Sequence, residues 1–239
     1  MKRGELLYEG KAKKIYLTDN PQQVWVAYKD DATAYNAQKR GSIQDKGKWN
    51  NRISARLFQF LGEKGVEHHF LKEISATEQL VRRVTIIPLE VLVRNISAGT
   101  LANRLGIEEG RRFARPVVEI CYKNDELGDP LITEDHIAAI ELATDEQVTQ
   151  MKEIALKVNE LLSEQMDRCG ITLVDFKLEF GIDGDGRLLL ADEISPDTCR
   201  FWDKESGKRL DKDRFRRDLG DVEEAYHEIW SRLGGETHV

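Results

Sequence analysis

Residues 173–195, LVDFKLEFGIDGDGRLLLADEIS, constrain the fold more than any other stretch of this chain. Val174, Phe176, Leu178 and Phe180 alternate with Asp175, Lys177 and Glu179, the pattern of a strand that separates an apolar face from a charged one. The turn residues Asp183-Gly184-Asp185-Gly186 then close a hairpin onto residues 188–194. Pairing 183 with 186 sets Lys177 opposite Asp192 and Glu179 opposite Leu190, so Asp192 joins the charged face. An antiparallel sheet with carboxylates and a lysine on one side is therefore a required part of the fold.

Two readings of that face are open. Alternation is normal on a solvent-facing sheet side. Carboxylates on one face equally suit Mg²⁺, which takes one or two of them together with phosphate oxygens, and Glu179 and Asp192 are then the metal pair. The DxDG match to a calcium loop does not extend, because the twelfth position counted from Asp183 is Ile194 where that loop needs Glu. A turn is expected instead.

Residues 5–8, 14–18 and 24–29 read as strands, with Asp19-Asn20-Pro21 turning between the last two, and they predict a small antiparallel sheet. From Asn50, the residues Ile53, Leu57, Phe60 and Leu61 follow helical spacing until Gly62 and Gly65, giving a helix to cover that sheet. Residues 80–87 and 89–94 are β-rich runs around Pro88, and proline favours an edge or a junction over a central strand. The 239 residues correspond to about one and a half domains of typical size. The boundary is placed here, between a small β-rich N-terminal domain, 1–83, and a larger α+β domain, 84–239. Thr144 and Gln147 have capping-box spacing and open a helix whose stripe runs from Val148 through Met151, Ala155 and Val158 to Leu162, ending at Gly170. A final amphipathic helix carries Val222, Tyr226, Ile229 and Leu233 and stops at Gly234-Gly235, with a mobile tail expected beyond.

Charge and composition exclude several functions. The 36 Lys+Arg against 43 Asp+Glu give a net charge of -7, which removes the basic field that non-specific nucleic-acid binding needs. No apolar run approaches the ~20 residues of a membrane span, and the basic start MKRGELLYEGKAKK lacks the apolar core of a secretory signal. Cys121, Cys169 and Cys199 are scattered and odd in number, without CxxC spacing, so neither a disulfide framework nor a structural zinc is expected. The expectation is a soluble cytoplasmic protein with no nucleic-acid or membrane partner. His68 and His69 are adjacent and point apart, which makes a poor chelate.

Three further constellations carry chemistry. Tyr8-Glu9-Gly10-Lys11-Ala12-Lys13-Lys14-Ile15-Tyr16 places a glycine and three lysines at a turn between strands. It is either a solvated basic hairpin or a phosphate cradle, and it is not the GxxxxGK[ST] of a P-loop. In LEVLVRNISAGT, residues 89–100, Thr100 can cap a helix over 101–105, while the same helix start beside Arg94 is a candidate anion site. Ser195-Pro196-Asp197-Thr198-Cys199-Arg200 reads as a loop that aims Arg200 at a second anion.

In order, YEGKAKKIY at 8–16, IPLEVLVRNISAGT at 87–100, LVDFKLEFG at 173–181 and DEISPDTCR at 192–200 resemble the SAICAR synthetase family of purine biosynthesis, in its short, single-function bacterial form. The resemblance spans essentially the whole chain. Gly99-Thr100 departs from it, since the family pattern usually has Gly-Ser there; the hydroxyl survives and the added methyl alters packing near a bound anion.

The resemblance implies a two-domain α+β fold related to ATP-grasp and protein-kinase architectures, with antiparallel sheets flanking an ATP cleft. It implies a ligase that joins carboxyaminoimidazole ribonucleotide to L-aspartate while ATP becomes ADP and phosphate, with ATP and Mg²⁺ required and a homodimer as the assembly. On this view Gly10, Lys11, Ala12, Lys13, Arg82 and Lys123 bind ATP, and Glu179 and Asp192 hold the metal. Arg94, Ser97, Thr100, Asp197 and Arg200 bind the ribonucleotide. Asp175 and Lys177 are the catalytic pair, orienting the imidazole or reacting carboxylate, with Asp175 accepting the amine proton. Lys39, Arg40, Lys46 and Lys48, on what reads as a long loop over 30–51, are candidates for the L-aspartate carboxylates, and 80–83 for the hinge of the adenine pocket. Two rival readings are a small-molecule kinase, which the turn, Lys29 and the acidic hairpin would also suit but which lacks HRD and DFG signatures, and a non-catalytic nucleotide sensor.

Overall fold

The structure is a computed structural model, and it describes residues 2–34 and 39–235. Strands β1 (Arg3–Glu9), β2 (Lys13–Thr18) and β3 (Gln23–Tyr28) form a meander. The ribbon of β4 (Asp31–Ala34) and β5 (Lys39–Ser42) follows, then helix α1 (Lys46–Glu63). Strands β6 (Phe70–Ser75) and β7 (Glu78–Arg82) return to the first sheet and complete its order β1-β2-β3-β7-β6, antiparallel throughout. Val24, Val26 and Tyr28 alternate along β3 and, with Val81 and Ile15, cover one face of this sheet with apolar side chains.

Arg83 alone separates β7 from β8 (Val84–Ile96), which starts the second sheet. Helix α2 (Gly99–Leu105), β9 (Arg112–Tyr122), β10 (Leu131–Ile132), α3 (Glu134–Ala139), α4 (Asp145–Arg168), β11 (Ile171–Asp183), β12 (Leu188–Ala191), β13 (Cys199–Asp203), α5 (Asp213–Arg216) and α6 (Val222–Arg232) follow in turn. The order is β10-β9-β8-β11-β12, again antiparallel, and β13 pairs with β11 on both sides of a bulge at Leu173/Asp175. Helix α4 starts at the expected capping box of Thr144 and Gln147, and its stripe of Val148, Met151, Ala155, Val158 and Leu162 is buried against β8 and β11. Burial of each large apolar side chain in that stripe contributes roughly 1.5–3 kcal/mol. Helix α1 packs on β3, β6 and β7 and on α6, and its Ile53, Leu57 and Phe58 belong to the same core as the second sheet.

The hairpin register differs from the sequence expectation by one residue. The Asp183 amide donates to the Arg187 carbonyl at 3.0 Å, so 183 pairs with 187 and Glu179 lies opposite Ala191 instead of Leu190. The Asp183 carboxylate fixes the longer turn by accepting from the amides of Asp185 and Arg187 at 2.9 and 3.0 Å. Pro88 lies within the central strand β8 and not at an edge. The ladder to β11 shifts register between Glu90 and Ile86, and pairing with β9 starts at Leu89, so the missing N–H falls where the ladder is already interrupted.

Residues 30–51 are not one loop. They hold the β4–β5 ribbon and the start of α1, which begins at Lys46, ahead of the expected Asn50. Its first turns lack apolar periodicity because they are held by polar contacts: the Gly47 amide donates to Asp30 Oδ1 at 2.8 Å, and Asn51 Nδ2 donates to the carbonyls of Ser75 and Ala76 at 3.0 and 3.1 Å. Arg200 is likewise on a strand, β13, and not in a loop. The tail expected to be mobile beyond Gly235 lies outside the described residues. No helix among the described residues is long and apolar enough to cross a membrane.

Candidate active site

A cleft of about 520 Å³ lies between the turn of β1 and β2, the β7–β8 junction and the charged face of β11. That volume is in the range of small-molecule sites. Its lining is divided. Leu7, Ile15, Val24, Val26, Val81 and Ile86 supply an apolar slot, while Lys13, Glu90, Lys177, Glu179, Asp192 and Glu193 supply charge.

The β1–β2 turn is closed by the Gly10 amide donating to the Lys13 carbonyl at 2.8 Å, and the Lys29 amide braces it on the Ala12 carbonyl at 2.8 Å. Lys29 Nζ pairs with Glu9 at 2.9 Å and Asp31 at 2.6 Å, so this strand lysine supports the turn from outside. Lys13 points inward to Asp192 and lies 3.0 Å from Glu193. Burial alone would lower its pKa, but Asp192 and Glu193 outweigh burial and hold the ammonium well above its usual range. Lys11 stays largely exposed and reaches across to Asp125 at 2.7 Å.

On β11, Lys177 pairs with Glu90 of β8 and lies 3.2 Å from Glu179, whose other oxygen takes Lys123. Burial opposes the charge on Lys177, and Glu179 and Glu90 overcome it, raising its pKa. Burial pushes the Glu90 carboxyl up, with Lys177 offsetting part of the effect. Asp192 reaches this face by an unexpected route. In the observed register a continued strand would place it opposite Leu178, on the core side. Its φ of 58° breaks the strand and returns the carboxylate to the cleft, where Lys13 takes it. Burial would raise this carboxyl; Lys13, Lys123 and Lys177 outweigh it and hold it well below the carboxylate range. His69 is kept neutral by burial and by Lys13, at about 3, and donates from Nε2 to the Asp192 carbonyl at 3.1 Å.

Asp175, Arg94 and Arg200 form a second group, further along β11 and outside the lining of the cleft. Arg94 Nη1 donates to Asp175 at 3.0 Å and Arg94 Nε to Glu119 at 2.6 Å. Arg200 Nη1 meets both Asp175 oxygens, at 2.8 and 3.1 Å, while its Nε donates to Asp213 at 2.8 Å. Gly99 makes room for this, since a Cβ there would collide with the Arg200 guanidinium. Ser97 is buried, donates to the Glu108 carbonyl at 2.5 Å and accepts from the Arg111 amide at 2.9 Å, so its hydroxyl holds the chain over 97–111. Thr100 is exposed and sits inside α2, where Ala98 is the cap residue and no side chain caps the helix; the expected Thr100 cap is not formed.

Asp197, at the floor of the cleft, joins three elements. Its Oδ2 meets Lys46 Nζ at 2.9 Å and Lys212 Nζ at 3.0 Å, and its Oδ1 accepts from the Tyr226 hydroxyl at 2.7 Å. The four cations of residues 30–51 do not gather. Lys46 goes to Asp197, Lys39 to the Phe215 carbonyl at 2.6 Å and Asp218 at 2.5 Å, Lys48 lies over the Trp49 ring, and Arg40 is on β5. Gly10, Ala12, Arg82 and Lys123, which the resemblance implies bind ATP, line the cleft together with Arg83. Sequence reasoning missed Glu90, Glu193, Lys212 and Asp213. Glu90 could have been found as the cross-strand neighbour of Glu179; the other three carry no periodic signal.

Among the described residues no group of three or more His, Cys, Asp and Glu is placed to hold a metal by itself. A Mg²⁺ that completes its shell with phosphate oxygens needs only one or two carboxylates, and Glu179 and Asp192 on the cleft wall fit that donor set.

Fold and cleft together define an α+β protein whose antiparallel sheets flank a site divided between an apolar slot and a charged wall. The class narrows to a family by comparison: the chain belongs to the SAICAR synthetase family, whose pattern it matches over residues 6–233. It is 56% identical over 239 residues to the phosphoribosylaminoimidazole-succinocarboxamide synthase of Bacillus cytotoxicus, with 100% of both chains covered. With the Bacillus subtilis synthase it shares 56% identity over 237 residues, covering 99% of this chain and 98% of that one. The crystal structure of the Ehrlichia chaffeensis synthase superposes with a TM-score of 0.95 at 47% identity, covering 98% of this chain and 100% of that chain. A SAICAR synthetase in complex with ADP superposes at 0.93, also at 47% identity, covering 97% and 98%.

Proposed function

We propose that the chain is an ATP-dependent ligase that joins carboxyaminoimidazole ribonucleotide to L-aspartate, giving SAICAR, ADP and phosphate in purine biosynthesis. Family membership supports the overall reaction. One observation carries the division of labour: Lys13, Lys177, Glu179 and Asp192 meet in one cleft beside an apolar slot. Residues 1–83 act as the nucleotide-phosphate domain and 84–239 as the domain for metal and substrate, an arrangement related to ATP-grasp and protein-kinase architectures.

A carboxylate is a poor electrophile, so its oxygen must become a leaving group before an amide can form. In this reading the carboxylate oxygen attacks the γ-phosphorus, the bond to the β-phosphate oxygen breaks, and ADP departs. The aspartate nitrogen then attacks the acyl carbon, phosphate leaves with the C–O electrons, and the amine proton passes to the departing phosphate, because Asp175, expected to accept it, is held by Arg94 and Arg200 outside the cleft lining. Charge accumulates on the phosphates and carboxylate, so cations fixed in advance dominate the catalysis. The adenine lies in the slot of Leu7, Ile15, Val24 and Val81, with 80–83 as its hinge. Gly10, Lys11, Ala12, Lys13, Arg82 and Lys123 hold the triphosphate. Mg²⁺ held by Glu179 and Asp192 would supply neutralisation of the β- and γ-oxygens. Arg94 and Arg200, anchored by Asp175, hold the ribonucleotide with Thr100 and Asp197, while Ser97 shapes the adjoining turn. Lys177 orients the reacting carboxylate. The enzyme works in the cytoplasm as a homodimer, a setting that three free cysteines support.

The test is ADP release from Mg²⁺-ATP with carboxyaminoimidazole ribonucleotide, with and without L-aspartate. Release that needs both co-substrates and yields the succinocarboxamide is expected. Release with phosphate retained on an acceptor would favour a kinase, and ATP binding without turnover would favour a sensor.

A further inference from the structure

We infer that Asp211 is a positioning residue for Arg200, locking that arginine and its counter-ion Asp213 into one unit. The inference rests on the reading of Arg200 as a ribonucleotide ligand.

Asp211 lies between β13 and α5, is fully buried, and does not line the cleft. Its Oδ2 accepts from the Phe201 amide at 2.8 Å and its Oδ1 from the Asp213 amide at 2.8 Å. Those amides belong to the residue that follows Arg200 and to the residue that binds Arg200 Nε. The Leu210 amide adds a third link, to the Phe201 carbonyl at 2.8 Å. From there the chain of contacts runs through Arg200 to Asp175 and on to Arg94. One carboxylate that touches no substrate thus fixes the spacing of strand, counter-ion and guanidinium.

The groups that face Asp211 are Asp213 and Arg216 of α5, Arg200 and Cys199 of β13, and Tyr226 of α6. Arg214 turns its guanidinium away, to the carbonyls of Arg209, Leu219 and Gly220. Burial, then the neighbouring Asp213 charge, pushes the Asp211 carboxyl up to about 7, with Arg200 and Arg216 offsetting part of this. A protonated carboxyl turns one acceptor oxygen into a donor, so it no longer serves both amides equally. The lock is complete above neutral pH and loosens below it.

The test compares Asp211→Asn with the wild type, which it matches in shape. At pH 8 the variant should raise the KM for the ribonucleotide by about tenfold, the change expected on losing a hydrogen bond of this kind, and leave the KM for ATP unchanged. Wild-type ribonucleotide KM should rise from pH 8 to pH 6 by more than the variant's does. The difference between the proteins is the readout, because the ribonucleotide phosphate titrates in the same range. Carboxyl NMR of ¹³C-aspartate-labelled protein should show a resonance titrating near 7 that Asp211→Asn lacks. Asp213→Asn removes the like charge and should move that titration to lower pH, which keeps the inference testable if Asp211→Asn does not fold. Equal ribonucleotide KM in variant and wild type, an equal rise for ATP, or a titration unmoved by Asp213→Asn would overturn it. Wild type without ligase activity would refute the function, while the NMR titration would still decide whether Asp211 and Asp213 are coupled.

Discussion

Replacing Asp197 by asparagine tests whether the buried charge cluster holds the two halves of the cleft together. The Asp197 side chain is 5% exposed and that of Lys46 only 1%, so water screens this pair little. Asparagine retains an acceptor for Tyr226 but leaves the ammonium groups of Lys46 and Lys212 without their counter-charge. Removing one partner of a buried ion pair costs about 3–5 kcal/mol. At this chain length each kcal/mol lowers Tm by about 2–4 °C, so calorimetry at pH 7 should find the variant lower by about 10 °C. The sign of the pH dependence gives an independent check. Burial would raise the Asp197 carboxyl, but Lys212 and Lys46 outweigh it and hold the pKa well below its unfolded value. A depressed carboxylate stabilises the fold fully above the unfolded value of about 3.9 and loses that stabilisation as pH falls toward the folded one. The Tm gap between wild type and variant should therefore be constant above about pH 5 and narrow in acid. Adding Lys212→Met to the variant should restore part of the loss. A gap of less than about 2 °C at pH 7, or one that does not narrow on acidification, would refute the reasoning.

Three other outcomes are expected. Lys13→Met removes the cation that contacts both Asp192 and Glu193, and steady-state kinetics should show kcat/KM for ATP falling by about 10²–10³. Arg94→Lys keeps the charge but cannot span Asp175 and Glu119, so ribonucleotide KM should rise about tenfold with ATP KM unchanged. Thr144→Ala removes the cap of α4; chemical denaturation should show a loss of about 1 kcal/mol, with activity at room temperature unaffected.

How much was legible in the sequence depends on the range of the forces involved. The alternation from Phe176 to Phe180 and the capping box at Thr144 are local, and both elements appear where the pattern put them. The hairpin register was not legible, because the Asp183 carboxylate recruits the amides of Asp185 and Arg187 and lengthens the turn beyond the four glycine- and aspartate-rich residues. Arg200 looked like part of a loop since its strand forms by pairing with β11, a contact outside any window that reads periodicity. The site itself is a set of long-range meetings, Lys13 with Asp192 and Lys46 with Asp197; family resemblance put Lys13, Asp192 and Asp197 in the site, but neither it nor spacing predicted these pairings. Glu193 lies within the motif over 192–200 and Lys212 well beyond it, and only the packed structure shows that their charges close the cleft.

The left-handed backbone of Asp192 also limits which residues can replace it. By charge, glutamate is the nearest relative of aspartate, yet a longer side chain at φ 58° meets the steric penalty of about 1–2 kcal/mol that L-residues carry in this region. Asparagine and glycine tolerate that geometry, and each discards the negative charge. Position 192 therefore separates two kinds of similarity: substitutions that preserve the backbone abandon the chemistry, and the one that preserves the chemistry strains the backbone.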